Sequence, residues 1–227
     1  MRYQTRSVKG HERAANHDCA VAEFDGTRGL FAIMDGTLKP GSGQLAQGLA
    51  QGVIKAYQSH ITQGANDSSQ DLVEQLLNVI LRDMHRQLFT HQTGTTSYLV
   101  GIVSQGQLTV AYEGDCACGL AGIDGRIEWL TPPHCKANWK RDRTHRELAL
   151  DPARHQVTRS LRANRAPDPD PDPDIVRHPA PAGTRFVFAT DGFWAELSES
   201  QQVAALDEPA GDIAVTDDDV TWIDVRI

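Results

Sequence analysis

The sequence has no run near the roughly 20 apolar residues that a membrane-spanning helix requires, so it is not expected to cross a membrane as a helix. Met1 to Gly10 lacks the apolar core of a secretory signal, and the expected compartment is the cytoplasm. The four cysteines, Cys19, Cys116, Cys118 and Cys135, form no paired CxxC frame. That argues against a zinc ribbon or a disulfide scaffold and for free thiols. Basic residues are outnumbered: 22 lysines and arginines face 30 aspartates and glutamates, a formal net charge of −8. Nucleic acid is therefore not an expected partner, because backbone phosphates call for a basic face. Internal repeats are also absent.

What is present is an ordinary globular composition, 40% hydrophobic and 23% charged over 227 residues. That length suits one domain, spanning 1–227, with a sizeable core. Turn dipeptides between apolar runs predict three hairpins. Cys19 to Phe24 and Leu30 to Met34 flank Asp25-Gly26; Leu99 to Val103 and Leu108 to Tyr112 flank Gln105-Gly106; Cys118 to Ile123 and Ile127 to Leu130 flank Asp124-Gly125. Two more strands are expected from Arg185 to Thr190 and from Val220 to Ile227.

Between the first two hairpins the period changes to that of helices. One helix is predicted from Gly43 to Ile61, with Leu45, Leu49 and Val53 four apart. A second is predicted from Ser69 to Phe89, on a stripe of Leu72, Leu76, Ile80, Met84 and Leu88 widened by Val73, Leu77 and Leu81. Ser68 and Asp71 read as a capping box at its start, and Ser198 with Gln201 as the start of a short third helix. Hairpins with helices grouped between them indicate an α+β fold of stacked antiparallel sheets with helices outside. Two segments fall outside this pattern. Thr131 to His155 is rich in Pro, Arg, Lys and His and reads as a long surface loop, and Ala166 to Asp174 repeats Pro-Asp four times and reads as an extended connector.

Aspartates recur at the ends of the apolar strands. Leu30 to Met34 runs into Asp35-Gly36, Thr109 to Glu113 into Gly114-Asp115, and Phe186 to Thr190 into Asp191-Gly192. Asp18 precedes the run from Cys19, and Asp217-Asp218-Asp219 precedes Val220. Any one Asp-Gly alone is ordinary turn chemistry, but no second strand follows Asp35 or Asp191 at hairpin distance. Gathered in one crevice these carboxylates would repel by about 4 kcal/mol per pair at 4 Å and an effective dielectric near 20. A hard divalent cation such as Mg²⁺ or Mn²⁺ converts that cost into binding, and needs no cysteine or histidine.

In order along the chain, Arg13-Ala14-Ala15-Asn16-His17-Asp18 resembles an R-x-x-N-E-D opening, and Phe31 to Gly36 an F-x-x-x-D-G strand end. Gly94-Thr95-Thr96 resembles G-T-T, Glu113 to Cys116 resembles V-G-D-S, Ala189 to Trp194 resembles S-D-G-L-W, and Asp218 to Thr221 resembles D-N-I-T. Together these resemble the PP2C-type (PPM) metal-dependent serine/threonine protein phosphatases of bacterial type. The resemblance implies a four-layer antiparallel β-sandwich flanked by α-helices on both outer faces. It implies hydrolysis of phosphoserine or phosphothreonine in proteins by a metal-activated water, with no covalent intermediate and with two Mn²⁺ or Mg²⁺ ions, or three. Asp35 would bridge two ions with the Gly36 carbonyl on one of them, Asp191 and Asp218 would complete the other site, Asp115 with Asp191 would form a third, and Asp18 would act through water. Arg13 would bind phosphate. The implied partners are phosphorylated substrates of a serine/threonine kinase.

The chain departs from that pattern at His17, where the family has glutamate, at Thr37 to Gly41, where it has a glycine-rich stretch, and at Cys116, where it has serine. His17 is a candidate leaving-group acid, a ligand for a softer metal, or a hydrogen-bond partner behind the ligands, as is Asp219 in the last role. The cysteines are given no catalytic role. In family terms Thr131 to His155 corresponds to a flap beside the active site. Its Lys136, Lys140, Arg141, Arg143 and Arg146, with His134, His145 and His155, are either a solvated loop or a docking patch for a phosphopeptide. The alternative function is a pseudophosphatase that keeps the fold as a phosphoprotein-binding or kinase-regulating module.

Overall fold

A computed structural model describes residues 1–26, 28–62, 70–89, 91–163, 172–208 and 211–227. The chain begins with β1 (Arg2–Val8), β2 (Asp18–Phe24) and β3 (Gly29–Gly36), then α1 (Ser42–Thr62) and α2 (Gln70–Phe89). It continues through β4 (Thr95–Ser104), β5 (Gln107–Glu113), β6 (Ala117–Ala121), β7 (Ile127–Trp129), α3 (His145–Ala149), β8 (Leu161–Arg162) and β9 (Asp174–Pro179). β10 (Arg185–Ala189), α4 (Glu199–Asp207) and β11 (Val220–Arg226) complete it. One sheet runs β1-β11-β10-β6-β7, and the other runs β2-β3-β4-β5-β9 with β8 pairing β4. Every pairing is antiparallel.

The period of two along β3 divides the interior. Phe31 and Ile33 point at the other sheet and join Leu99, Val110, Phe186, Phe188, Ile223 and Val225 between the two sheets. Leu30, Ala32 and Met34 point the opposite way and pack under Leu45, Leu49 and Val53 of α1 and Leu77, Leu81 and Met84 of α2. Because β3 is covered on both faces, its apolar run is unbroken rather than alternating. The outer face of the other sheet is covered by Phe193, Leu197 and Leu206, which meet Val187, Ala189 and Trp222. The architecture is the expected α+β sandwich with flanking helices.

The three hairpins, the strands at β10 and β11, and α1 fall where the sequence placed them. The buried stripe of α2 differs by one position. Val73 and Leu77 are buried, while Leu72 is exposed and Leu76 only half-buried. Residues four apart advance about 400° on a helix of 3.6 residues per turn, a drift of about 40° per step. A long 72/76/80/84/88 ladder therefore cannot stay on one face, and its early members turn outward. Ser68 lies outside the described residues, so the capping box at the start of α2 is not described. The one at Ser198 is present, with Gln201 N–H donating to the Ser198 hydroxyl and Ser198 N–H to the Gln201 side chain. Ser198→Ala should cost about 1 kcal/mol, readable as a fall of about 2–4 °C in Tm.

Three strands escaped the sequence reading. β1, Arg-Tyr-Gln-Thr-Arg-Ser-Val, is mostly exposed on a sheet edge, β9 is a half-exposed edge ending at Pro179, and β8 is two residues long. Edges need no alternating apolar face, so periodicity is blind to them. The Pro-Asp connector lies largely outside the described residues, and its last aspartate, Asp174, opens β9.

Thr131 to His155 also differs from the loop expected of it. It contains 3-10 turns at Lys136–Asn138 and Pro152–His155 as well as α3, and it buries Thr131, His134, Cys135, Asn138, His145, Leu148 and Arg154. Side chains, rather than apolar period, organise it. Thr144 and Glu147 cap α3 in a reciprocal box, Asp151 caps the second 3-10 turn, and Arg143 pairs with Asp151.

Candidate active site

Strand register brings the aspartates to one end of the sandwich. Asp18 of β2 stands directly opposite Asp35 of β3, and Asp35 stands opposite Ser97 of β4. In the other sheet Ala189 pairs with both Ala117 and Trp222. Asp191, Asp115 and Asp218 lie just beyond these residues, so they share one sheet end. Two glycines make the approach tight enough. A Cβ on Gly192 would sit 2.0 Å from the Asp219 carbonyl oxygen. Gly114 turns at φ +108 with its Cα hydrogens against Ser97, a backbone region that L side chains rarely adopt.

Hydroxyls hold two of the carboxylates and the backbone of a third aspartate from behind. Thr190 Oγ1 donates to Asp18 Oδ2 at 2.9 Å, Ser97 Oγ donates to Asp115 Oδ1 at 2.6 Å, and Thr96 Oγ1 donates to the Asp35 carbonyl at 2.9 Å. Trp194 Nε1 donates to the Asp115 carbonyl at 2.8 Å, so the helical turn after Asp191 is tied to the strand end that carries Asp115. Asp219 does not face the cluster as a free acceptor. Its Oδ1 accepts Gly10 N–H at 2.9 Å and its Oδ2 accepts His17 N–H at 2.8 Å, which clasps the N-terminal segment onto β11. His17 Nδ1 lies 3.3 Å from the Thr37 carbonyl, at the start of the segment that departs from the glycine-rich pattern.

Burial, then mutual repulsion, pushes these acids up. Asp18 and Asp35 lie well above the usual carboxylate range, Asp35 with Asp18, Asp191, Asp115 and Asp218 all adding to its burial. Burial raises Asp115 while Ser97 pulls it down, and burial with Asp115 and Asp218 raises Asp191 to about 7. The Cys116 thiol, pushed far up by burial and by the same aspartates, stays protonated and is no nucleophile.

Two arginines sit on the cluster. Arg13 donates through Nε to Asp218 Oδ1 at 2.7 Å and is half-buried on the rim. Arg154, from the segment after β7, donates through a terminal guanidinium nitrogen to Asp191 Oδ2 at 2.6 Å. The sequence reading gave Arg154 no role. Of the five cations expected to form a basic patch, Arg141 is paired with Asp174 and Arg143 with Asp151, while Lys136, Lys140 and Arg146 are exposed. A groove of about 1390 Å³ lies between the 141–150 segment and the start of α4, with Trp129, Trp194, Leu150, Arg146 and Glu196 in its wall and none of the five clustered aspartates.

By sequence the chain matches no family model and no curated protein. By structure it matches bacterial phosphatases over its whole length. The crystal structure of the serine/threonine phosphatase Stp1 from Staphylococcus aureus superposes with a TM-score of 0.76 at 17% identity, covering 99% of this chain and 94% of that one. The Mycobacterium tuberculosis serine/threonine phosphatase PstP/Ppp gives 0.72 at 20% identity, covering 100% and 98%. The PPM phosphatase MsPP from Mycobacterium smegmatis, in complex with cacodylate, gives 0.76 at 20% identity with the same coverage. The chain has the fold of the PPM serine/threonine phosphatases. At these identities the likeness establishes the fold alone.

In this PPM fold the donor set is the test for divalent cations. Four crowded, desolvated carboxylates and a fifth at the rim are hard oxygen donors whose repulsion a cation would relieve, so the residues fit Mn²⁺ or Mg²⁺ chemically. Among the described residues no three Asp, Glu, His or Cys side chains are already closed around a common point. Arg154 and Arg13 instead supply the counter-charge to Asp191 and Asp218. Among the described residues, no helix is long and apolar enough to cross a membrane.

Proposed function

We propose that this chain is a metal-dependent phosphatase that hydrolyses phosphoserine and phosphothreonine in proteins, opposing a cytoplasmic serine/threonine kinase. The observation that carries this reading is the convergence of Asp18, Asp35, Asp115, Asp191 and Asp218 at one end of a PPM sandwich, with Arg13 at the rim. Asp35, the Gly36 carbonyl, Asp191 and Asp218 would hold two ions, Asp115 with Asp191 a third, and Asp18 would act through water. Bound there, Mn²⁺ or Mg²⁺ would acidify water and neutralise phosphoryl charge.

The rest of the work belongs to the chain. Thr190, Ser97 and Thr96 fix the positions of Asp18, Asp115 and Asp35, so little reorganisation is left for substrate to drive. Arg13 presents a planar fork that suits two phosphoryl oxygens. Asp218 holds that fork in place through one edge. His17 would stand behind the ligands: its backbone N–H donates to Asp219 and its ring lies beside the Thr37 carbonyl.

Arg13→Ala, assayed at saturating metal, should weaken phosphate binding. Lost charge-assisted hydrogen bonds of about 1.5–3 kcal/mol correspond to a rise of roughly 10- to 150-fold in KM and in the inhibition constant of phosphate. Unaltered KM and phosphate inhibition would remove Arg13 from the phosphate site.

The function itself is tested by assaying p-nitrophenyl phosphate and a phosphothreonine peptide with Mn²⁺ and with EDTA. Turnover of both that requires the metal is expected. The pairing of Arg154 with Asp191 and of Arg13 with Asp218 favours a second reading, a pseudophosphatase that captures phosphoproteins. Peptide binding without turnover at saturating Mn²⁺ would select it.

A further inference from the structure

Arg154 is 7% exposed. A buried guanidinium is expensive unless its charge is matched. It lies 2.6 Å from Asp191 Oδ2 through one terminal nitrogen and 3.8 Å from Glu196 Oε1 through the other. Glu196 in turn accepts the backbone N–H groups of Asp217 at 2.9 Å and Asp218 at 3.2 Å through Oε2. One cation thus gathers Asp191, Glu196 and the loop that presents Asp218. It arrives from the Pro152–His155 turn, 37 residues from Asp191 in sequence. That turn is anchored away from the cluster: Asp151 caps it and pairs with Arg143, and Cys135 bridges to Val157 just beyond it.

From this geometry we propose that Arg154 is an internal counter-ion that occupies the electrostatic place of a metal at Asp191 and must give it up when a divalent cation binds. The inference rests on the metal-centre reading above and goes beyond it. A dication approaching Asp191 meets an oxygen already engaged and a positive charge within a few ångströms, both of which oppose its binding. The same contact offsets part of the repulsion that Asp191 meets from Asp115 and Asp218 in the metal-free chain. Arg154 therefore acts on stability and on metal affinity with opposite signs, whereas an arginine that only supports the fold would lower both together. Metal binding and the position of the segment after β7 are linked through this one side chain.

The test is Mn²⁺ titration calorimetry and metal-free melting of the full chain as wild type, Arg154→Gln and Arg154→Lys. Arg154→Gln should bind Mn²⁺ at least about tenfold more tightly and melt lower without metal. Arg154→Lys keeps the charge but not the fork and should fall between it and wild type. It carries the test if the glutamine variant does not fold. Mn²⁺ binding in Arg154→Gln but not in wild type would support the proposal. Wild type that binds Mn²⁺, with variants that bind no tighter, would overturn the counter-ion role and leave the metal centre standing. Absence of Mn²⁺ binding in all three proteins would overturn both.

Discussion

Asp35→Asn is expected to abolish metal-dependent turnover while making the metal-free chain more stable. Asp35 stands across from Asp18 and within electrostatic reach of Asp191, Asp115 and Asp218. Losing a ligand that two ions would share would remove several kcal/mol of charge stabilisation from the transition state, roughly a 10³-fold loss in kcat/KM or more. The stability change has the other sign. Burial and like charges raise the folded-state pKa of Asp35 well above its unfolded value. A raised carboxyl contributes stability below its unfolded pKa and loses it as pH rises through the folded one. Near neutrality the carboxyl must either ionise against its neighbours or take up a proton, which burdens the apo fold, and neutral asparagine relieves it. A rise in apo Tm of about 2–4 °C per kcal/mol relieved should be seen by calorimetry. A variant that turns over at near wild-type rate with saturating metal, or that melts lower without it, would contradict the placement of Asp35.

The second large effect is a pH dependence carried by His145. Its ring stacks on Trp129 at 5.2 Å and meets Trp194 edge-to-face at 4.8 Å, and among the described residues its Nε2 has no hydrogen-bond partner. Burial lowers its pKa from 6.5 to about 3. A histidine lowered on folding contributes stability in full above its unfolded pKa, and that contribution is lost as pH falls through the folded value. At about pH 4 the loss is on the order of 3 kcal/mol, at ~1.4 kcal/mol per pH unit. His134, lowered to about 4 by burial and then Arg159, bends the curve the same way, while the raised aspartates bend it oppositely. The readout is therefore the difference between wild type and His145→Phe, which keeps an aromatic ring in the stack and removes the titration. The two proteins should diverge below pH 6.5, with wild type losing more stability. Parallel denaturation curves from neutral to acid pH would contradict the buried, neutral imidazole.

The parts of this fold that could be read from sequence were those written locally. Asp25-Gly26, Gln105-Gly106 and Asp124-Gly125 each close a hairpin, and the unbroken Leu30 to Met34 run marks a strand covered on both faces. The aspartates could be found because each sits where an apolar strand begins or stops. The groups that hold them could not. Ser97 and Thr190 sit inside strand patterns and look like ordinary strand residues, and they become hydrogen-bond donors only through register with distant strands. Trp194 falls within a recognised motif, yet nothing local says that its indole holds the Asp115 carbonyl 79 residues away. Arg154 was hidden for the same reason, in a segment whose order comes from caps and ion pairs rather than from hydrophobic period.

Diffraction from crystals of the wild-type chain grown with saturating Mn²⁺, recorded for the anomalous signal of manganese, tests the central claim most directly. The account predicts strong anomalous peaks among the carboxylates of Asp35, Asp191 and Asp218, with Arg154 drawn off Asp191. Well-ordered crystals with no manganese at these residues, and the Arg154–Asp191 contact unchanged, would contradict it.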